Sequence, residues 1–442
     1  MKNVMASVGL VAIGAFTIPN AQAQMSTGAD KPWSVSGTLR GFYDDNYTTA
    51  PSSSHRPSSF GFEARPSASV DLKLPQTDIK LAYVMSMKYY DDRVNNKADW
   101  SHDFEGFLNH SFSERYSLEL SDSFVIAQEP DLIDPSNHSV TQRVNGNNVR
   151  NAAGINFHAK ASEEISFTLG YANTLYNYDQ NEGDVARDIA AGNAAPGTVS
   201  RSGQLDRMEQ NVTLTTRWQF APETAAILGY QFGDVGYTSN EKIGTLTPGG
   251  PAITSDVRNN RSHYIFTGAD HNFSRDLSAS IRVGAQITDY YNDPSQEKSI
   301  SPYVDLSGTY VYAEGDSVLI GFTHRRSQTD LVGASQISVN NIHNLTLDQE
   351  SSVFYASLTH KLTPKLKASL TGQYQISDFN NSGDPTVKNA SDNFILVGVN
   401  LNYQFTRFLS GEAGYNYDNL TSGVPGRGYD RNRVYLGVTA TY

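Results

Sequence analysis

Apolar and polar side chains alternate at every second residue, unbroken over segments of 10 to 12 residues, and the pattern recurs down the chain. From Asn211 to Phe220, Val212, Leu214, Thr216, Trp218 and Phe220 oppose Asn211, Thr213, Thr215, Arg217 and Gln219. From Leu277 to Thr288, Leu277, Ala279, Ile281, Val283, Ala285 and Ile287 oppose Ser278, Ser280, Arg282, Gly284, Gln286 and Thr288. Lys367–Ser377 and Phe394–Phe405 read the same way. Successive side chains of a strand point to opposite faces, so each segment is a β-strand with one apolar and one polar face. Crossing a bilayer takes a tilted strand ~9–11 residues, whereas strands of soluble sheets are nearer ~5–6. A soluble sandwich also hides its apolar faces between two sheets. Long strands with one apolar face suit a closed barrel, apolar towards lipid and polar towards a lumen.

The connections point the same way. Eight short turns join alternating segments: 74–78, 112–115, 161–164, 220–223, 273–276, 313–316, 362–365 and 405–408. Between them run longer polar connections at 44–59, 91–100, 127–146, 178–206, 238–257, 289–298, 328–347, 379–391 and 418–430. Eight turns join sixteen strands, and one more at each end makes eighteen. The expected fold is an all-β, up-and-down antiparallel transmembrane barrel with short periplasmic turns and long extracellular loops. Within the loop 178–206, Asp184–Ala191 reads as one or two helical turns.

Aromatic residues gather at strand ends. Phe112, Tyr116, Phe220, Phe273, Tyr312, Phe405 and Phe408 flank the short turns. Tyr43, Tyr89, Tyr90, Tyr176, Tyr178, Tyr237, Tyr290, Tyr291 and Tyr417 flank the long loops. Rings with one wet edge settle at headgroup level, so two girdles are expected.

At the N-terminus a basic Met1-Lys2-Asn3, an apolar stretch from Val8 to Ile18, and Ala21-Gln22-Ala23 spell a secretory signal peptide over residues 1–23. Residues 24–442 then form one barrel domain in the outer membrane of a diderm envelope, among its lipid and lipopolysaccharide. Only about ten residues precede Trp33, too few for a globular plug. The final strand, Arg433–Tyr442, ends on an aromatic and resembles the terminal signature read by barrel-insertion machinery.

The opening strand, Trp33–Asn46, has a glycine-bearing stretch leading into Tyr43-Asp44-Asp45-Asn46. It is similar to the start of the putative beta-barrel porin type 2 family. That resemblance implies a barrel with a pore or export-associated role, and carries over no functional residues.

Several classes fall away. A formal charge of -12 leaves no basic footprint for nucleic acid. With no cysteine there is no disulfide framework, thiol catalysis or lipoprotein anchor. No hydrolase, zinc-protease or phosphate-loop motif occurs, so no enzyme, metal or cofactor is expected. His110-Ser111 are neighbours on a strand and point to opposite faces. Asp179–Asp184 lacks the ligand order and distal glutamate of a calcium loop.

Function is then expected in the lumen. Alternation turns Arg40, Arg217, Arg282 and Arg325 inward with Glu119, Asp305 and Glu412, as the pore lining. Lys80, Lys160, Lys361, Lys367 and Arg433 join the cations and Glu105 the acids, an excess of base that favours anions. The loops 127–146 and 178–206 compete as a constriction. The expected protein is a passive diffusion pore for small polar solutes, anions or saccharides among them. The alternative is a loop-plugged structural barrel, or one associated with exopolysaccharide export. Neither the solute nor the oligomeric state is written in the pattern.

Overall fold

The alternating segments all become strands of one sheet. The computed structural model describes residues 31–128, 146–293, 298–334, 337–380 and 382–442. The signal-peptide segment and nearly all of the loop 127–146 lie outside these residues. In chain order the strands are β1 (Trp33–Asp44), β2 (Ser59–Leu74), β3 (Thr77–Tyr90), β4 (Ala98–Ser111), β5 (Tyr116–Ala127), β6 (Asn148–Lys160), β7 (Ile165–Tyr178), β8 (Arg207–Ala221) and β9 (Thr224–Tyr237). A small hairpin follows inside a loop, β10 (Lys242–Thr245) and β11 (Ala252–Thr254). The chain continues with β12 (Asn260–Asn272), β13 (Leu277–Asp289), β14 (Lys298–Ala313), β15 (Asp316–Ser327), β16 (Asp348–Thr363), β17 (Leu366–Asn380), β18 (Ser391–Thr406), β19 (Leu409–Ser422) and β20 (Tyr429–Thr441).

Each barrel strand pairs antiparallel with its neighbours in sequence, and β9 pairs with β12 across the loop hairpin. β20 closes on β1, with Asp44 opposite Arg433 and Ser36 opposite Thr441. The result is a closed barrel of 18 strands. Closure satisfies the backbone groups between strands, which a chain in hydrocarbon requires. All eight short turns fall where the sequence places them, on one rim.

The apolar positions of the alternation face out. Ile281, 44% exposed, is flanked by inward Ser280 and Arg282, the latter 5% exposed. All seven turn-side aromatics are exposed and form the expected girdle. The loop side differs. Tyr43, Tyr89, Tyr291 and Tyr417 stay at the outer surface, but Tyr90, Tyr178, Tyr237 and Tyr290 are buried, and Tyr176 turns inward with them. Clustering at strand ends does not distinguish the two faces; parity does.

Several inward rings lie flat on the wall, across glycines of neighbouring strands. A Cβ at Gly229 would stand 2.1 Å from Phe266 Cζ, and Gly321 and Gly414 make the same room for Tyr355 and Tyr435.

One joint in the wall is cut short. β14 pairs with β13 along its whole length, down to Asp289 opposite Lys298. Its pairing with β15 stops at Val304 opposite His324, leaving residues 298–303 of β14 without β15. Continued in register, Arg326 would face Pro302, which has no N–H to offer its carbonyl. Instead β15 bends inward over β14. The side-chain amide of Gln286 on β13 accepts from Arg326 N at 3.0 Å and donates to Arg326 O at 3.4 Å, replacing a strand partner. Arg326 Nε reaches Ser301 Oγ at 2.8 Å, tying the bent end to the inner face of β14. At Pro66 the β2–β3 pairing lapses only briefly and resumes at Ser67 opposite Val84.

On the extracellular rim the loops pack on one another. α1 (Glu182–Ala190) is the helix expected there, started by an Asn181/Asp184 capping box. α2 (Arg201–Leu205) follows, capped by Ser200, whose hydroxyl also donates to Glu241 of the next loop. Val199, Ile243, Val257, Val332, Val339 and Leu345, from three loops, share one buried core with Tyr290. A second cluster joins Leu331 and Phe379 to Val424 and to Val387 of α3 (Pro385–Lys388). Arg258, fully buried, donates to Gln204 O at 3.0 Å and Thr329 O at 2.6 Å. Arg427 holds Asp330 at 2.5 Å and Asp392 at 2.9 Å. These contacts make a folded mat on the rim.

Candidate functional site

The inner wall carries ion pairs spaced along the strands. Arg40 on β1 reaches Glu412 on β19 at 2.5 Å and Glu63 on β2 at 3.2 Å, with the Tyr435 ring 4.9 Å away. Ser86 Oγ donates to Glu63 at 2.6 Å. Across the lumen, Asp270 on β12 binds Arg282 on β13 at 2.7 Å and also Arg217 on β8. Arg217 reaches past β9 because the residue opposite Asp270 there is the small Ala225. Asp305 stands directly opposite Arg282 in the β13–β14 register. Arg325 is the next inward position above Thr323, itself opposite Asp305. Glu119 accepts from Asn156 Nδ2 at 3.2 Å.

The seven inward residues named from sequence thus separate into two clusters on the two sides of the barrel, with Glu119 apart. Part of the expected excess of base is paired, Arg40 with Glu412 and Glu63, and Arg217 and Arg282 with Asp270. Glu63, Asp270, Glu209 and Asp418 also face inward, and each neutralises an arginine. Counting by twos places Glu209 with Arg217 on β8 and Glu63 opposite Phe60, Phe62 and Ala64 on β2, whereas on β12 the outward face around Asp270 is broken by Arg261, His263 and His271. An inner-face apolar cluster was missed as well: Phe394, Leu396, Leu420 and Tyr429 pack together near the mouth.

Beside the bent end of β15 lies a partly open cavity of about 100 Å³. Its floor is β8, β9, β12 and β13, presenting Asn211, Gln231, Ser262, Tyr264, Gln286 and Thr288. Arg325, Arg326 and Ser327 form one wall, Tyr176 and Glu209 the other, and Tyr290 and Asp348 stand over them. The polar groups are braced. Gln231 donates to Asn211 at 3.0 Å, and Ser262 and Thr288 share a hydrogen bond of 3.0 Å. Arg326 binds Asp348 at 3.1 Å, and Asp348 also accepts from the Tyr290 hydroxyl. Burial first, then the Asp348 charge, hold that phenol well above its usual pKa. Arg207 pairs with Glu209 at 2.7 Å and lies 4.3 Å over the Tyr176 ring. At the root of the mat, burial pushes the Asp206 carboxyl up to about 6, against hydrogen bonds from Ser202 and the Tyr178 amide. No cluster of metal-ligating side chains occurs among the described residues.

Several signals for this site were available but not combined. Pro302 within a central strand marks a break in pairing, and Asn211, Gln231 and Gln286 share inward parity with the charged positions.

Residues 342–442, from the end of the 328–347 loop through β20, match the family described as Putative beta-barrel porin 2. No curated protein matches the chain. Solved structures align along most of it at low identity. OccAB4 of Acinetobacter baumannii is 11% identical, over 93% of this chain and 99% of that one, with a TM-score of 0.42. The outer-membrane protein OpdK of Pseudomonas aeruginosa is 10% identical over 93% and 99%, at 0.43. A ferric enterobactin receptor mutant, PfeA of the same organism, is 12% identical over 92% and 80%, at 0.42. Likeness at this level says nothing of a solute. With its apolar exterior, closed sheet and family match, the chain is an outer-membrane β-barrel of porin-like build that resembles the Putative beta-barrel porin 2 family over residues 342–442.

Proposed function

We propose that the barrel is a passive diffusion channel for small polar solutes, lined by Arg40, Arg217, Arg282, Arg325, Glu119, Asp305 and Glu412. The observation that supports this reading is the closure of 18 strands around a polar inner face. Barrels of ~16–18 strands leave an aqueous lumen, whereas ~8 strands fill with side chains. Paired acids and bases on the wall favour weak ion selectivity over a strong anion preference, because neutralised pairs present no ring of one sign. Planar-bilayer conductance of the refolded barrel, with reversal potential under a salt gradient, is the test. Steady steps with a small potential are expected; a correctly inserted but silent barrel defeats the reading.

A second reading is a loop-sealed barrel with a structural or exopolysaccharide-export role, and the mat with its own apolar core favours it. A silent barrel that conducts once the mat is loosened would support it.

Export by residues 1–23 and insertion through the terminal strand belong to the same proposal. Tyr442 packs on Trp33 with ring centroids 5.9 Å apart, and Lys31 lies 3.8 Å over its ring. Removing Tyr442 should slow assembly by the insertion machinery; an unchanged rate removes that role.

A further inference from the structure

We propose that the cavity beside the bent end of β15 is a binding site for a neutral saccharide unit of one or two pyranose rings. The inference deepens the channel reading by naming the solute class, and it rests on that reading for its physiological sense only.

Three features of the cavity carry it. First, the charged groups of its lining sum to zero, Arg325 and Arg326 against Glu209 and Asp348, with Arg326 on Asp348 at 3.1 Å and Glu209 on Arg207 at 2.7 Å. A site for a free anion would present an uncompensated positive group, since burying an ion needs a partner. Second, the floor is built of amides and hydroxyls. A carboxamide offers donor and acceptor side by side, which matches neighbouring hydroxyls of a sugar. Gln231 and Asn211 bond to each other at 3.0 Å and so are held in place before any ligand arrives. Both side chains line the cavity. Third, phenol rings stand among these groups. Tyr264 is fixed edge-on to Tyr303, with centroids 5.6 Å apart and planes at 78°. Rings lining a cavity among hydrogen-bonding groups suit a ligand with an apolar C–H face and a polar rim, and tyrosine supplies both characters.

The test is isothermal titration of maltose into the refolded, heat-modifiable barrel, with glucuronate as the anionic counterpart. Maltose should bind with a Kd on the order of millimolar, the weak range suited to a transported solute. Glucuronate should bind roughly tenfold or more weakly, for want of a net positive charge in the lining. Tyr264→Ala and Gln231→Ala should each weaken maltose roughly tenfold, the loss of one buried contact, and either alone suffices if the other fails to fold. Gln373→Leu, an inner-face amide on β17 outside the cavity, should leave binding unchanged. Absence of maltose binding, tighter binding of glucuronate, or equal loss in Gln373→Leu would overturn the proposal. Conductance of the same sample separates the two readings. A conducting barrel that ignores maltose defeats the saccharide site alone, and a silent barrel that binds it defeats the diffusion channel alone.

Discussion

Ile281 and Arg282 are neighbours in the chain, and the barrel wall lies between their side chains. Ile281→Asp sets a carboxylate against lipid, at less than the ~2–4 kcal/mol of a midplane lysine or arginine but enough to cut the folded fraction. Arg282→Glu should assemble, because Asp270 keeps Arg217, and should move the reversal potential towards cations. Heat-modifiable bands of equal intensity in wild type and Ile281→Asp would reverse the face assignment; an unmoved potential in Arg282→Glu would take it off the pore wall. This much was legible in sequence, since parity depends only on counting by twos. Partnership was not. Asp270 lies two strands from Arg217 and becomes its neighbour only through the stagger of three strands and the smallness of Ala225.

Strands, turns and loops differ in how far the sequence discloses them. A strand's faces and ends are local properties, so all eight turns and the helix near Asp184 were readable. The mat was not, because Ile243 meets Val199 and Val332 only after three loops converge. Asp206 gives the mat a pH dependence. Its carboxyl is held up to about 6 in the folded state, chiefly by burial. Folding therefore binds a proton between that value and the ordinary carboxylate range near ~4. This contribution is fully present below about pH 4 and is lost as pH rises through 6. Limited proteolysis of the loops should quicken between pH 5 and 7, and Asp206→Asn should flatten the response; a wild-type profile in the variant would clear Asp206. The bend of β15 is tested separately. Gln286→Leu strands the Arg326 amide, a loss of about 1–3 kcal/mol for an unsatisfied buried group. Hydrogen exchange at Arg326 should speed by roughly tenfold or more, and an unchanged rate would mean another group satisfies it.

As a whole molecule the barrel joins a closed wall to a mat of packed loops on its extracellular rim. The two should separate under mutation. Ile243→Asp puts a charge into the mat's core, where an unpaired ion is not tolerated, yet touches no wall strand. Heat modifiability should persist while single-channel conductance rises and becomes noisier; unchanged conductance would show that the mat does not lie in the path of ions. Its outcome also distinguishes an open pore from a sealed one, a distinction invisible in sequence because it depends on how loops meet above the lumen.

A hoop whose every row is hydrogen-bonded has a fixed girth, since widening it anywhere breaks a full row of bonds. The overlap of β15 on β14 makes this hoop lapped at one place near its outer rim, held by the Gln286 amide and the Arg326 guanidinium. A lap can slide where a weld must tear. At this lap the rim is closed by side chains in place of a row of backbone bonds, so strain on the outer rim falls first on the Gln286 amide and the Arg326 guanidinium.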